Sequence, residues 1–266
     1  MGIIKLLVVL LLLAAADTFA GQFPAVEEVY LYPSLQYFTW KDNTTPRQVL
    51  ENGLMYGLGG GARLNFLQTN SGALTVALKA ELFGGDISYD GQLQDGSPTL
   101  TDVIYLGTKE EANLGWRFPL GTAAAIEPFG GLGYRWWLRS LQGEGGYPEK
   151  WSSYYAKSGV RWSWSVTPDL KLFISGGALY PFDSDNRVDF PGAGKVTVYP
   201  RGEWSGFAES GMRYGGLRAT FFYEGLRYAQ SDPVAAFSTF ENKTIHLFQP
   251  TSSSDVFGVS LGWAFK

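Results

Sequence analysis

The chain has no cysteine and a single histidine, His246, among its 266 residues. Without cysteine there can be no disulfide, no thiolate metal site and no lipid attached to a cysteine after export. One histidine also leaves no pair for the metal-ligand spacings that histidines provide. Only 17% of the residues are charged and the net charge is −4, which argues against a nucleic-acid partner because such partners require a basic surplus.

Long hydrophobic runs are also scarce, and the one present lies at the start of the chain. Lys5 precedes an apolar run from Leu6 to Ala16, which is followed by the small-residue site Thr18-Phe19-Ala20. The run is too short to cross a membrane as a helix, and the layout is typical of a secretory signal peptide. We therefore predict a cleaved signal peptide at residues 1–20. Since no later shift in composition marks a boundary, we predict one domain over residues 21–266.

Glycine and aromatic residues are abundant instead. The chain has 34 Gly, and 16% of its residues are Phe, Trp or Tyr. In its last stretch, Val256 to Phe265, large apolar residues alternate with Gly, Ser and Ala. Period two is the repeat of a β-strand, and small residues on the second face suit the crowded interior of a narrow barrel. The alternation recurs in ten stretches, several joined by turn sequences such as that at residues 69–72.

The connections between these stretches alternate between short and long. Short turns are predicted near residues 69–72, 119–122, 166–169 and 214–216, and longer polar segments at 41–51, 89–101, 140–150, 184–195 and 231–253. Short periplasmic turns and long outer loops are typical of transmembrane barrels. We therefore predict an all-β fold: a single transmembrane antiparallel up-and-down β-barrel in the cell outer membrane. It should have ten strands, with eight and twelve as the alternatives.

Aromatic residues gather at the strand ends beside the short turns. In transmembrane barrels such residues form a girdle at the membrane interface. The predicted membrane-interface girdle consists of Trp116, Phe118, Trp162, Trp164, Tyr214, Trp263 and Phe265.

Charged residues fall almost wholly on the opposite strand face, which lines the lumen. The predicted lumen network consists of Arg63, Lys79, Glu81, Glu111, Arg117, Glu127, Arg135, Arg161, Glu203, Glu209, Arg213, Arg218 and Glu224, and the same face carries Lys171, Phe129, Trp137 and Phe173. Opposite charges in an interior of low dielectric should pair, which favours a lumen plugged by side chains. Because cations outnumber anions on this face, a narrow, weakly anion-selective passage is the alternative.

Four segments carry a wider resemblance: EPFGGLGYRWW (127–137), GVRWSWSVTPDLKL (159–172), FFYEGLRYAQS (221–231) and DVFGVSLGWAF (255–265). They resemble the strands of Gram-negative outer-membrane barrels of the OmpA and Opa-like superfamily. The resemblance implies a porin-like protein of the cell envelope, in contact with outer-membrane lipids and lipopolysaccharide, without a cofactor. It also implies that the barrel-assembly machinery recognises the C-terminal strand, although here the aromatic Phe265 is followed by Lys266. We expect a monomer.

Enzymatic alternatives rest on few residues. Omptin-type proteases also have ten strands, and Asp183-Ser184-Asp185 resembles their paired aspartates, but His246 has no aspartate two residues away. Lipid A deacylases use a histidine near a serine, and the serines at 252–254 follow His246 without a recognisable motif. We therefore expect no catalytic, cofactor or metal residues. His246 should lie at the outer side of the ninth or tenth strand or in their loop, without a carboxylate partner.

The outer loops offer a binding role. Binding by barrels of this kind is carried by loops displayed on a rigid scaffold. The longest predicted loop contains Phe237, Phe240 and Phe248, so a structural or loop-mediated binding role is the expected function. The alternative is that the loops are solvated and that divalent cations bridge their carboxylates to lipopolysaccharide.

Overall fold

The computed structural model describes residues 25–45, 47–92, 96–143, 145–190, 192–239 and 242–265. The predicted signal peptide, residues 1–20, and Lys266 lie outside the described residues. The described part of the chain is all-β, and none of its segments is a helix long and apolar enough to cross a membrane.

Fourteen strands are present in the described residues. They are β1 (Ala25–Asp42), β2 (Val49–Thr69), β3 (Gly72–Gln92), β4 (Pro98–Leu120), β5 (Ala124–Leu141), β6 (Pro148–Ser165), β7 (Leu170–Phe190), β8 (Gly194–Val198), β9 (Arg201–Glu203), β10 (Ser205–Tyr214), β11 (Leu217–Ala229), β12 (Val234–Ser238), β13 (Lys243–Leu247) and β14 (Ser252–Phe265).

Ten of these strands close an antiparallel barrel, which confirms the predicted fold and strand number. Strands β1 to β7 pair with one another in chain order. The barrel then closes through the pairs β7–β10, β10–β11, β11–β14 and β14–β1. The closing ladder runs from Val29 opposite Phe265 to Asp42 opposite Ser252. Strands β8 and β9 attach to β7 and β11, whereas β12 and β13 form a separate hairpin.

The alternation in β14 has a packing cause. Phe257, Leu261 and Trp263 are more than half exposed on the outer surface. On the inner face there is no room for a side chain at Gly258, because an added Cβ would lie 2.3 Å from the ring of Phe222. Small residues on one face therefore admit large side chains from neighbouring strands, and the other face presents apolar side chains to the surroundings.

The short turns lie where they are predicted, at residues 70–71, 121–123, 166–169 and 215–216. We call this end of the barrel the short-turn end and the opposite one the loop end. The predicted outer segments are wrong in extent, because the strands continue into them and leave connections of only 43–48, 93–97 and 142–147. The ladders continue because inward positions stay apolar in these segments, as at Val49, Tyr89 and Leu141, which are all buried.

One strand of the wall is broken towards the loop end. The segment from residue 194 to residue 214 consists of three strands, β8, β9 and β10. Strand β8 pairs only with β7, and β9 pairs only with β11. Strand β10 pairs with both β7 and β11. Ser205 begins β10, and its hydroxyl donates to Gly225 O at 2.7 Å and lies 3.3 Å from Leu179 O. A side-chain hydrogen bond thus joins the strands where the regular ladder starts.

Candidate functional site

The outer surface carries the aromatic residues of the predicted girdle. The structure places all seven on the outward face beside the short turns. Phe118, Trp162, Tyr214, Trp263 and Phe265 are 41–60% exposed, and Trp116 and Trp164 are partly exposed.

A second group of outward aromatic residues lies nearer the loop end and was not predicted. Tyr134 and Tyr154 have ring centroids 4.6 Å apart, and Phe182 lies 6.4 Å beyond Tyr154. Tyr180 and Trp204 form another pair at 4.9 Å. Together with the predicted girdle, these rings bound the exposed apolar band at both ends, as in transmembrane barrels.

Buried ion pairs cross the middle of the lumen. Glu224 on β11 contacts Lys109 on β4 at 3.1 Å and Arg135 on β5 at 2.8 Å. Glu111 accepts hydrogen bonds from Lys157 at 2.8 Å and from the Tyr155 hydroxyl at 2.9 Å. These side chains are nearly inaccessible to solvent, so the pairs compensate charges that would be costly alone.

A second set of pairs lies closer to the short-turn end. Glu127 contacts Arg63 at 2.7 Å and Arg117 at 3.0 Å, and Arg117 also reaches Glu27 at 2.6 Å.

Arg218, which lies on β11, contacts carboxylates from two other strands. It lies 3.1 Å from Glu28 on β1 and 3.5 Å from Glu209 on β10. Glu27 and Glu28 were not predicted, since the ladder between β1 and β2 shifts register between Val26 and Glu28. Lys109 and Lys157 lie in step with the inward-facing residues of their own strands, so the alternation could have identified them as lumen residues.

Other predicted members of the network make no ion pair with a described residue. Glu81 accepts hydrogen bonds from uncharged groups, Ser34 and Gln36, both at 2.6 Å. Lys79 lies 5.5 Å from the ring centroid of Tyr32. Arg161 lies 3.9 Å from that of Phe173.

Arg213 faces two other cations across the ladders. It lies opposite Lys171 on β7 and Arg218 on β11, and its Nε is buried without a hydrogen-bond partner in the described chain. The prediction that opposite charges pair in the lumen is therefore wrong for Arg213, as it is for Glu81, Lys79 and Arg161.

The prediction that Glu203 belongs to the lumen network is also wrong. Glu203 is exposed and lies opposite Arg227, which is on the outward face of β11, whereas Phe207 further along lies opposite the inward Glu224. The pairing register therefore shifts by one residue near Trp204. A shift of one residue moves side chains to the other face of a sheet, so parity counted from β10 assigns Glu203 to the wrong side.

The loop-end half of the lumen is filled by apolar side chains, which we call the aromatic plug. Its buried members are Phe38, Trp40, Val49, Met55, Phe83, Ile87, Tyr89, Val103, Tyr105, Trp137, Leu141, Trp151, Leu226, Tyr228 and Val256. Trp137 and Trp151 stack with centroids 5.2 Å apart and planes 8° from parallel, and Trp40 meets Trp151 edge-on at 5.2 Å. Of these residues only Trp137 was predicted to face the lumen.

Charges next to the aromatic plug are paired as well. Arg139 contacts both Glu51 and Glu149, the latter at 2.6 Å. Tyr105 donates to Glu51, and Trp151 donates through Nε1 to Glu149 at 2.9 Å. The polar atoms of these two plug residues thus bind the carboxylates that Arg139 also contacts.

A cavity of about 80 Å³ lies on the short-turn side of the aromatic plug. Its charged lining residues are Glu28, Arg63, Lys79, Glu111, Glu127, Lys157, Arg161, Glu209 and Arg218. Asn113 and Phe129 also contribute to the wall.

The residues of the enzymatic alternative lie apart from the lumen. His246 is exposed on the β12–β13 hairpin, opposite Ala235, in the loop between the last two barrel strands, where it was expected. Asp185 lies on the outer face and pairs with Arg187 at 2.9 Å. Among the described residues no group of three or more His, Asp or Glu side chains is arranged to hold a metal ion.

Comparison with known proteins supports the fold alone. No family model and no curated protein sequence matches the chain. The outer membrane protease OmpT of Escherichia coli superposes with a TM-score of 0.53 at 8% identity, covering 92% of this chain and 99% of OmpT. The transport unit of the autotransporter AIDA-I of Escherichia coli gives 0.48 at 11% identity, covering 88% and 89%. The protein has the ten-stranded fold of an outer-membrane β-barrel.

Proposed function

We propose that this outer-membrane barrel has a closed lumen and serves as a rigid scaffold whose loop-end surface binds partners. The observation that carries the proposal is the aromatic plug. Trp151 is 1% exposed, and Ile87 and Tyr228 are completely buried. Conduction requires a path along which an ion keeps water or polar ligands, and close-packed apolar side chains leave no such path.

The plug closes the lumen because its rings come from different parts of the wall. Trp40 is on β1, Trp137 on β5, Trp151 on β6 and Tyr228 on β11. The centroid of each ring lies within 6.3 Å of the centroid of at least one other ring in this set. Next to this layer, Glu224 joins β11 to β4 and β5 through Lys109 and Arg135. An ion would have to displace both layers.

The loop-end surface supports a binding role. Tyr199, Phe237 and Phe248 are 63%, 54% and 47% exposed. Exposed aromatic side chains are favoured at binding surfaces because they offer a large contact area at a low entropic cost. Lipopolysaccharide and outer-membrane lipids are the proposed surroundings, and β14 with Phe265 is the proposed contact of the assembly machinery. We propose a monomer without nucleic-acid partners.

Two other roles remain candidates of lower rank. A narrow, weakly anion-selective passage is favoured by Lys79 and Arg161, which have no described ion pair. A hydrolase is disfavoured by the exposed His246. The narrower relationship with the OmpA and Opa-like superfamily stays a prediction.

Planar-bilayer recordings of the purified protein test the closed lumen. We expect little or no steady conductance at neutral pH. The double variant Trp137→Ala, Trp151→Ala removes the stacked pair inside the barrel and should raise the conductance. The matched control is Trp162→Ala, Trp164→Ala, which removes a pair stacked at 5.1 Å on the outer face and should leave it unchanged. Large, stable channels in the unmodified protein would contradict the proposal.

A further inference from the structure

The cavity at the short-turn side of the plug has more cations than its carboxylates can compensate. Five cationic side chains face four carboxylates, of which three already have close partners. Glu127 is shared by Arg63 and Arg117, which lies outside the cavity lining. Glu111 holds Lys157 at 2.8 Å and Glu28 holds Arg218 at 3.1 Å. Glu209 is the one lining carboxylate left for Lys79 and Arg161, and Arg218 also contacts it at 3.5 Å.

Two cations of the lining, Lys79 and Arg161, contact aromatic rings and have no carboxylate partner within ion-pair distance in the described residues. Arg161 and Arg218 both lie against Phe173, with guanidinium carbons 3.9 and 4.7 Å from the ring centroid. Lys79 lies 5.4 Å from the ring centroid of Phe222. Neither Lys79 nor Arg161 makes a hydrogen bond to a described residue. Cation–π contacts offset part of the cost of these charges, but the N–H donors keep their capacity to bind an anion.

The cavity wall also contains an acceptor that has no donor. The Oδ1 atom of Asn113 is buried and has no hydrogen-bond partner in the described part of the chain. A buried polar atom of this kind is costly unless a ligand or water satisfies it. A fully deprotonated anion cannot donate to it, whereas an anion with a hydroxyl group can. The cavity, with about 80 Å³, has room for several water molecules or one tetrahedral oxyanion.

Access is from the short-turn end. The side chains of Arg117 and Glu27 are 21% and 24% exposed there, compared with 5% for Glu127. On the other side, the Lys109–Glu224 pair is only 5–6% exposed, and the aromatic plug lies next to it. Arg213, opposite Lys171, adds positive charge near the entrance, and a positive potential raises the local concentration of anions.

We propose that this cavity is a blind binding pocket for a small oxyanion that carries a hydroxyl group, of the hydrogen phosphate class, entered from the periplasmic side. The guanidinium of Arg161 and the ammonium of Lys79 bind the charged oxygens, and Asn113 Oδ1 accepts the hydrogen bond of the hydroxyl. The pocket ends at the ion pairs and the plug, so binding does not require conduction.

Calorimetric titration of the full-length folded protein with inorganic phosphate, at constant ionic strength, tests the pocket. We expect saturable binding that Arg161→Gln weakens by about tenfold or more, the amount that corresponds to losing a charge-assisted hydrogen bond. The matched control is Arg187→Gln, which removes an exposed arginine of the outer surface and should not change the affinity. No saturable binding, or equal binding by both variants, would overturn the proposal.

Stability separates binding from a merely structural role of Arg161. Without phosphate, R161Q should be as stable as the unmodified protein or more stable, because an uncompensated charge has been removed. At one phosphate concentration that saturates the unmodified protein, phosphate should stabilise that protein more than R161Q, because the variant binds phosphate more weakly. A variant that is less stable by the same amount in both buffers would show that Arg161 only supports the fold, contrary to the proposal.

Sulfate tests the assignment of the hydroxyl group. Sulfate at neutral pH has no proton to donate, so the unmodified protein should prefer phosphate by about fivefold or more, the value of one neutral hydrogen bond. Asn113→Leu should abolish this preference while sulfate still binds. Equal affinity for both anions in the unmodified protein would refute the role of Asn113.

Discussion

Glu224 is the carboxylate on which the central layer of the lumen depends. Its two oxygens serve different cations, Lys109 from β4 at 3.1 Å and Arg135 from β5 at 2.8 Å. The three side chains are 5–8% exposed, so water cannot replace the carboxylate. The substitution Glu224→Gln keeps the shape of the side chain and removes its charge, which leaves two buried cations without their counter-ion.

The expected loss of stability follows from the burial of these groups. Breaking a buried ion pair by removing one partner costs about 3–5 kcal/mol. Because Glu224→Gln affects two cations but retains an amide oxygen that accepts a hydrogen bond, we expect a decrease of about 3–5 kcal/mol in the free energy of unfolding. The double variant Glu224→Gln, Lys109→Met should recover part of this loss, since contacting residues couple.

Urea unfolding in lipid vesicles, followed by tryptophan fluorescence and by the gel shift of the folded barrel, measures these changes. The control is Glu203→Gln, which removes an exposed carboxylate outside the lumen and should change the stability by less than about 0.5 kcal/mol. The reasoning would be refuted if Glu224→Gln destabilised the protein no more than Glu203→Gln does.

Three further predictions concern topology, packing and chemistry. Because the chain has no native cysteine, single introduced cysteines report topology. On intact cells, Ser71→Cys in a short turn should resist an impermeant maleimide, whereas Thr244→Cys on the hairpin should react. The reverse labelling pattern would show that the barrel has the opposite orientation in the membrane. Gly258→Val should destabilise the fold by about 1–3 kcal/mol in the same unfolding assay, because its side chain would collide with Phe222; an unchanged midpoint would show that the ring can move. His246→Ala should leave both the unfolding free energy and any hydrolytic activity of the purified protein unchanged, and loss of an activity would restore the enzymatic alternative.

The alternation in the sequence predicted the faces of residues within unbroken strands. Arg63, Glu127 and Arg161 face the lumen because the side-chain period of two holds along β2, β5 and β6. The same count failed at Glu203, since one extra residue near Trp204 reverses the faces. The irregularity beside Glu28 has a similar effect.

The partners of the lumen charges could not be predicted from the same pattern. Lys109 and Glu224 are 115 residues apart in the chain, and their contact depends on the curvature and stagger of the closed barrel rather than on any local feature. The aromatic plug was missed for another reason: its strands extend through segments whose outward polar residues suggested loops. In those segments the buried apolar residues at inward positions, such as Val49 and Tyr89, indicate that the strands continue.

The aromatic plug also divides the tryptophans of the protein into two groups with different surroundings. Trp40, Trp137 and Trp151 are buried inside the barrel, while residues such as Trp162, Trp204 and Trp263 are exposed on its outside. A quencher attached to lipid acyl chains reaches the outer group and is kept from the inner one by the wall. The intrinsic fluorescence therefore contains two separable signals, one reporting insertion into the bilayer and the other the closure of the interior, so the order of these two events during folding can be observed without a label.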